Sequence, residues 1–378
     1  MKALKKITAL ILVLAMSVSL SGCYNQDLTW AAKDGDDTVA IGVYLYYLYC
    51  AIDDAGDYVD SDTDVLDATI EGEDAETWIK AKAMNYLQSY IWVNKKVEEY
   101  NLDLTEDEKS SASQTTSYLI NNYLTSFDDF GISEDSLNKA YTEYNIKFKK
   151  LFDYYYNEGG EFEISKDDLK ESYCDGKYSF QYITASLTTT DDDGNTVDIS
   201  DVEKDTLTTS FEGYKKKIET GYQTLEYSGQ ELQVELGLDS APYTSVDATD
   251  FVEDIYPTEI MNAVKEMDDN TLQILESDGQ LILLQKNNIE DSFETAYSTA
   301  SDKLSMMLDL KGDEFNQYIL EQAAADETDI EINDAAIKHY KVKSLITDSN
   351  KSGTSSTASE TSSETSDDTT SEETSSED

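Results

Sequence analysis

The sequence predicts an α+β chain in which a helical domain is interrupted by a mixed unit and then resumes. Three observations point there. Apolar residues recur with a helical period up to about residue 176, the pattern switches towards alternation from Lys177, and the helical period returns from Asp291. At 378 residues the chain exceeds the usual single-domain size and has material for more than one core.

The elements follow in order. Residues 28–41 read as a short strand or small hairpin with a turn at Asp34-Gly35, leading into a helix that begins near Gly42. Residues 43–52 are apolar or aromatic almost all round, which predicts a helix enclosed within a bundle. A second helix spans Asp74 to about Tyr100, with Trp78, Ile79, Ala83, Leu87 and Ile91 at helical spacing. Thr105-Glu-Asp-Glu108 is a capping box and opens a third helix that carries Tyr118, Leu119, Tyr123 and Leu124. After the Gly131 break another helix runs from Ser133 towards Gly159, and Ser165 to Asp168 caps a short one ending near Cys174. Residues 28–176 thus form the first part of the helical domain.

KYSFQYITASL, Lys177 to Leu187, is the first strand of the mixed unit, which covers 177–290. A turn at Asp191 to Asn195, a capped helix from Ser200 to about Thr220 and a loop-rich stretch holding both prolines, Pro242 and Pro257, come next. A helix around 259–267 precedes two strands, 271–276 and 280–286, joined across Ser277-Asp278-Gly279. Residues 291–346 return to the helical period, with a short strand at 329–332 and a final turn from Asn333 to Tyr340. The tail, 347–378, is nearly all Ser, Thr, Asp and Glu, cannot bury a core and is expected to be disordered.

Charge narrows the function classes. Asp and Glu number 79 against 28 lysines and no arginine, for a formal charge of -51. Such a field repels nucleic acid and anionic headgroups, and no guanidinium fork exists to clamp a phosphate. Neither a nucleic-acid nor a nucleotide partner is expected, and no cofactor or metal is.

At the N-terminus Lys2, Lys5 and Lys6 precede an apolar run, 7–16, too short for a stable membrane span. Residues 1–22 read as a signal peptide. Leu20-Ser21-Gly22-Cys23 resembles the lipobox of bacterial lipoproteins, which implies acylation of Cys23, a short linker at 23–27 and an anchor on the extracytoplasmic face of the cell membrane. Cys50 and Cys174 match no zinc or redox spacing; they could pair outside the cell, yet a free thiol within an apolar helix is ordinary.

Catalytic signals are sparse. His339, the single histidine, lies in a polar turn without a nucleophile motif beside it, and no Walker, Rossmann, G-x-S-x-G or H-E-x-x-H pattern occurs. Asp60, Asp62, Asp64 and Glu71 have EF-hand spacing, but Val65 stands where the loop needs glycine. The 27 tyrosines are the remaining excess. Tyr46, Tyr47, Tyr154, Tyr155 and Tyr156 are candidates to face a cradle for apolar segments of another protein, against the plainer reading as core residues.

The order of elements and several phrases resemble the SurA/PrsA-type extracytoplasmic foldases. The phrases are TWAAKDG at 29–35 leading to GVYLYYL at 42–48, DVLDATIEG at 64–72 before Trp78, LTEDE at 104–108, FGISE at 130–134, ISKDDL at 164–169 and INDAAI at 332–337. The resemblance implies a helical chaperone domain of the SurA N-terminal kind, completed by a C-terminal helix, with an inserted parvulin-like α+β domain at 177–290. It implies unfolded or nascent secreted proteins as partners. Parvulins carry a histidine on the first strand and another on the last. Matching Ile183 and Gly279 puts Tyr182 and Leu281 at those places, so the resemblance implies a chaperone whose isomerase domain lacks its histidines. An active prolyl isomerase and a ligand-binding or cell-wall-associated lipoprotein are the alternatives.

Overall fold

The computed structural model describes residues 27–60, 63–249, 255–326, 330–347 and 350–351. Cys23, the signal segment and residues 348–349 and 352–378 of the tail lie outside the described residues; at the start of the tail, where disorder was expected, Asn350 is buried and its Nδ2 donates to the Leu345 carbonyl at 3.2 Å. The chain is α+β and divides into two compact units: the described residues up to Leu151 together with those from Asn316 on, and Phe152–Phe315.

In the first unit β1 (Trp30–Asp34) and β2 (Asp37–Ala40) form a hairpin ahead of α1 (Ile41–Gly56). A small ladder, β3 (Thr69–Ile70) with β4 (Glu73–Asp74), leads to α2 (Ala75–Glu99), whose N-terminus is capped by the Asp74 carboxylate accepting from Thr77 N at 3.0 Å. α3 (Glu106–Asn122) begins with a complete Thr105–Glu108 capping box. α4 (Glu134–Leu137) passes through a π-helical segment, Asn138–Thr142, into α5 (Glu143–Tyr156), so the helix expected to run unbroken from Ser133 is interrupted. Thr142 and Thr116 hydroxyls, 2.6 Å apart, meet the Asn138 side chain inside this segment and tie α3 to it.

The core of this unit surrounds α1. Val43, Tyr44, Leu45, Leu48, Ala51 and Ile52 are all buried, as the all-round apolar pattern requires. Gly42 permits the close approach of α4: a Cβ there would sit 2.3 Å from Ser136 Oγ.

The second unit starts within α5 and continues with α6 (Lys166–Cys174), β5 (Tyr178–Ser186), and a β6 (Thr188–Thr190)–β7 (Thr196–Asp198) hairpin. α7 (Asp201–Glu219) opens with a Ser200–Glu203 capping box. The stretch expected to be loop holds two further elements, α8 (Leu225–Leu236) and β8 (Tyr243–Thr249). α8 escapes a hydrophobic-period reading because two of its four buried positions are Ser228 and Gly229. Its ends were nevertheless marked locally, by the Thr224 cap and by Gly237 in the left-handed region. α9 (Thr258–Glu266), β9 (Leu272–Ser277) and β10 (Gln280–Lys286) follow, the last two joined by Asp278 and Gly279, both at positive φ as a tight hairpin turn requires. α10 (Ile289–Ser298) and the first part of α11 (Ala300–Ala325) complete the unit.

The chain then re-enters the first unit. β11 (Glu331–Ile332) pairs with β1, Ala32 opposite Ile332, giving the strand order β11-β1-β2. Asn333 Nδ2 donates to the carbonyls of Asp27 at 2.8 Å and Trp30 at 3.0 Å, and α12 (Asp334–His339) brings Ala336 into the core around α1.

Candidate functional site

The second unit is organised by a four-stranded antiparallel sheet of order β8-β5-β10-β9, so the strand beginning KYSFQY lies inside the sheet with a partner on each side. Side chains alternate between faces along each strand. Phe180 and Tyr182 share one face with Ile282 and Leu284, covered by Ile260, Ala263 and Val264 of α9. Ile183 and Ala185 share the other with Leu281 and Leu283, packed against Leu207 and Phe211 of α7 and Leu225 and Leu232 of α8.

This register separates the two positions that the resemblance assigns to histidines. Tyr182 is opposite Leu284 and stacks on Phe180, with ring centroids 6.2 Å apart, on the α9 face. Leu281 is opposite Ala185, on the α7–α8 face, and is 2 % exposed. They do not converge on one site. The polar residue of β5 on Leu281's face is Gln181, beyond Ile183 and Ala185, where a polar row runs across the sheet: Tyr243 Oη donates to Gln181 Oε1 at 2.7 Å, and Gln181 Nε2 donates to Gln285 Oε1 at 3.1 Å. An amide between two such partners orients a peptide group well but supplies neither a base nor a nucleophile near neutral pH. His339 is in the other unit, on α12, exposed and edge-on to Tyr340.

The five candidate tyrosines separate by burial. Tyr47 is buried, and its hydroxyl donates to the Ala140 carbonyl of the π segment at 3.0 Å. Tyr46 beside it is half-buried among Tyr47, Phe127 and Tyr141. Burial first of all, and then the nearby Cys50 thiol, raise the Tyr46 hydroxyl well above the ordinary tyrosine range; burial likewise pushes the Cys50 thiol up to about 12. Tyr155 and Tyr156 are core residues of the second unit, Tyr156 stacked on Phe152 at 4.5 Å and edge-on to Phe315. Tyr47, Tyr155 and Tyr156 therefore build cores and do not line an open cradle; of the five, Tyr154 alone is exposed. Cys50 and Cys174 are free thiols. In the acidic loop, Asp64 accepts from Leu66 N and Glu71 from the Trp78 indole, so both carboxylates have local structural partners.

A recess that sequence reasoning did not anticipate lies between α7 and α8. It has a volume of about 710 Å³ and is bordered by Gly213, Tyr214 and Lys217 on one helix and Tyr227, Val234 and Glu235 on the other. The sequence signal for it is the pair Tyr227 and Val234, two helical turns apart, opposite the buried face of α8.

No protein-family model and no curated protein matches the chain. Among solved structures it is similar to the foldase protein PrsA from Lactococcus lactis, with 9% identity over 82% of this chain and 99% of that one and a TM-score of 0.31. It is also similar to the foldase protein PrsA from Streptococcus pneumoniae, with 13% identity, 72% and 98% coverage and a TM-score of 0.30, and to PrsA from Bacillus subtilis, with 14% identity, 76% and 92% coverage and a TM-score of 0.28. At these identities and scores the likeness carries no argument about activity, and the α+β class rests on the strand order and packing described above.

Proposed function

We propose that the chain is an extracytoplasmic chaperone or foldase that holds unfolded secreted proteins without ATP, anchored to the membrane through lipid on Cys23, and that its sheet unit has no prolyl isomerase chemistry. The observation that carries this reading is the sheet itself. The positions assigned to histidines hold Tyr182 and Leu281, on opposite faces, and Leu281 is sealed beneath α7 and α8. Rotation about a peptide bond faces a barrier of about 18–20 kcal/mol, and of those two positions only Tyr182 carries a polar group, with no second one from Leu281 converging on it as the bond twists. Holding is supported by the sequence phrases of a helical domain found before and after the sheet unit along the chain, and by a charge of -51 that opposes self-association.

Suppression of aggregation of a reduced, unfolded secreted protein is the direct test. Suppression at stoichiometric protein is expected; its absence removes the chaperone reading. A proline-limited refolding assay addresses the sheet unit separately. No acceleration is expected, whereas acceleration that disappears in Tyr182→Ala establishes an active isomerase. The anchor is checked by Cys23→Ala, which should release the protein from the membrane fraction.

A further inference from the structure

The recess between α7 and α8 has three features that fold stability does not account for. Tyr227 and Val234 are turned outward beside it, Val234 being 82% exposed, although α8 already buries Leu225 and Leu232 against the sheet. Gly213 sits in the middle of α7 at its edge. A Cβ built there meets nothing within 4 Å and the backbone is ordinary helix, so neither packing nor conformation calls for glycine, which costs about 1 kcal/mol against alanine in a helix interior. Its effect is to keep that wall low. Finally, Glu235 accepts hydrogen bonds from Ser210 Oγ and Tyr214 Oη, both at 2.8 Å, and forms no ion pair among the described residues, while the nearby Lys217 is taken by Glu231 at 2.9 Å. Two neutral donors fix that carboxylate without cancelling its charge.

We propose that this recess docks a short unfolded segment of a client polypeptide in which a lysine or arginine neighbours large apolar residues. The apolar side chain lies over Gly213 between Tyr227 and Val234, and the cation pairs with Glu235. Charge complementarity selects this occupant: a chain of net -51 attracts a basic segment, and a second copy of itself brings the same repelling charge. The assignment rests on the chaperone reading and names the class of client segment it takes.

The test uses the full chain and a short fluorescein-labelled peptide carrying lysine beside leucine and phenylalanine, with binding read by anisotropy. Gly213→Leu fills the recess and should weaken binding about tenfold or more, Val234→Ser and Glu235→Gln each several-fold, with circular dichroism and melting confirming that each variant folds. The peptide with glutamate for lysine, and the one with serine for its apolar residues, should both bind at least about tenfold more weakly. Unchanged affinity in folded Gly213→Leu and Val234→Ser overturns the proposal, as does equal binding of the lysine–serine peptide, which marks attraction to net charge alone. Self-association through this recess, seen as a mass that falls to monomer in Gly213→Leu, also overturns it. Aggregation assays separate the two claims. Suppression that survives in Gly213→Leu, together with unchanged peptide affinity, removes the recess and keeps the chaperone; peptide bound at the recess without any suppression does the reverse.

Discussion

Helices α1 and α8 both carry apolar side chains on more than one face, and they meet opposite fates. α1 is enclosed: α2 and α4 pack on it, β1 passes along it, and Ala336, Val342 and Leu345 from the far end of the chain join its core. α8 is covered by the sheet and flanked by α7, and its opposite face leaves Tyr227 and Val234 exposed. The difference teaches that an apolar face becomes core only where the topology delivers a partner. Where none arrives, the face stays as surface available to another molecule.

The largest effect expected from this contrast is alkaline unfolding around α1. Cys50, Tyr46 and Tyr47 are held neutral in the folded state, chiefly by burial, and are free to ionise in the unfolded chain. Their folded pKa values are raised, so the stability they contribute is fully present below about pH 9 and is lost as pH rises towards about 12. Tyrosinate absorbance should therefore rise for these residues in step with the loss of helical circular dichroism. Ionisation of all 27 tyrosines before the helical signal falls, in place of the exposed ones alone, would show that α1 is not enclosed.

Core truncations come next. Leu48→Ala, on the enclosed helix, should cost about 4 kcal/mol, and Leu232→Ala, on the covered face of α8, about 3 kcal/mol, both measured by urea unfolding. A smaller loss, about 1 kcal/mol, is expected of Thr105→Ala, which removes one half of the capping box at the start of α3. Smallest of all should be Val234→Ser, within about 0.5 kcal/mol, because its side chain is already in water. A cost as large as that of Leu232→Ala would mean that both faces of α8 are structural, and the contrast with α1 would collapse.

Much of the architecture is legible in the residues themselves. The capping boxes at Thr105 and Ser200, the Asp278-Gly279 turn and the enclosed character of 43–52 all formed as their residues indicated. α8 and β8 were missed for an identifiable reason. Ser228 and Gly229 take two of the four buried positions of α8, and β8 has no fully buried residue and turns only Tyr243 and Val246 to the cores, so the hydrophobic period is faint in both. The tyrosines carry two readings in the sequence, and burial separates them: Tyr47, Tyr155 and Tyr156 follow the plainer one and fill cores.

Local chemistry was therefore settled by the sequence alone: where helices begin, where the chain turns, which helix must be surrounded, and the absence of any histidine on the strands of the sheet. These depend on neighbours within a few residues, or on composition. Tertiary structure alone decided which faces are shared. The one-residue phase of β5 against β10 puts Tyr182 and Leu281 on opposite sides of the sheet, and the arrival or absence of a packing partner makes one apolar helix face core and the other an open recess. Register and coverage come from residues a hundred positions away, and no local pattern encodes them.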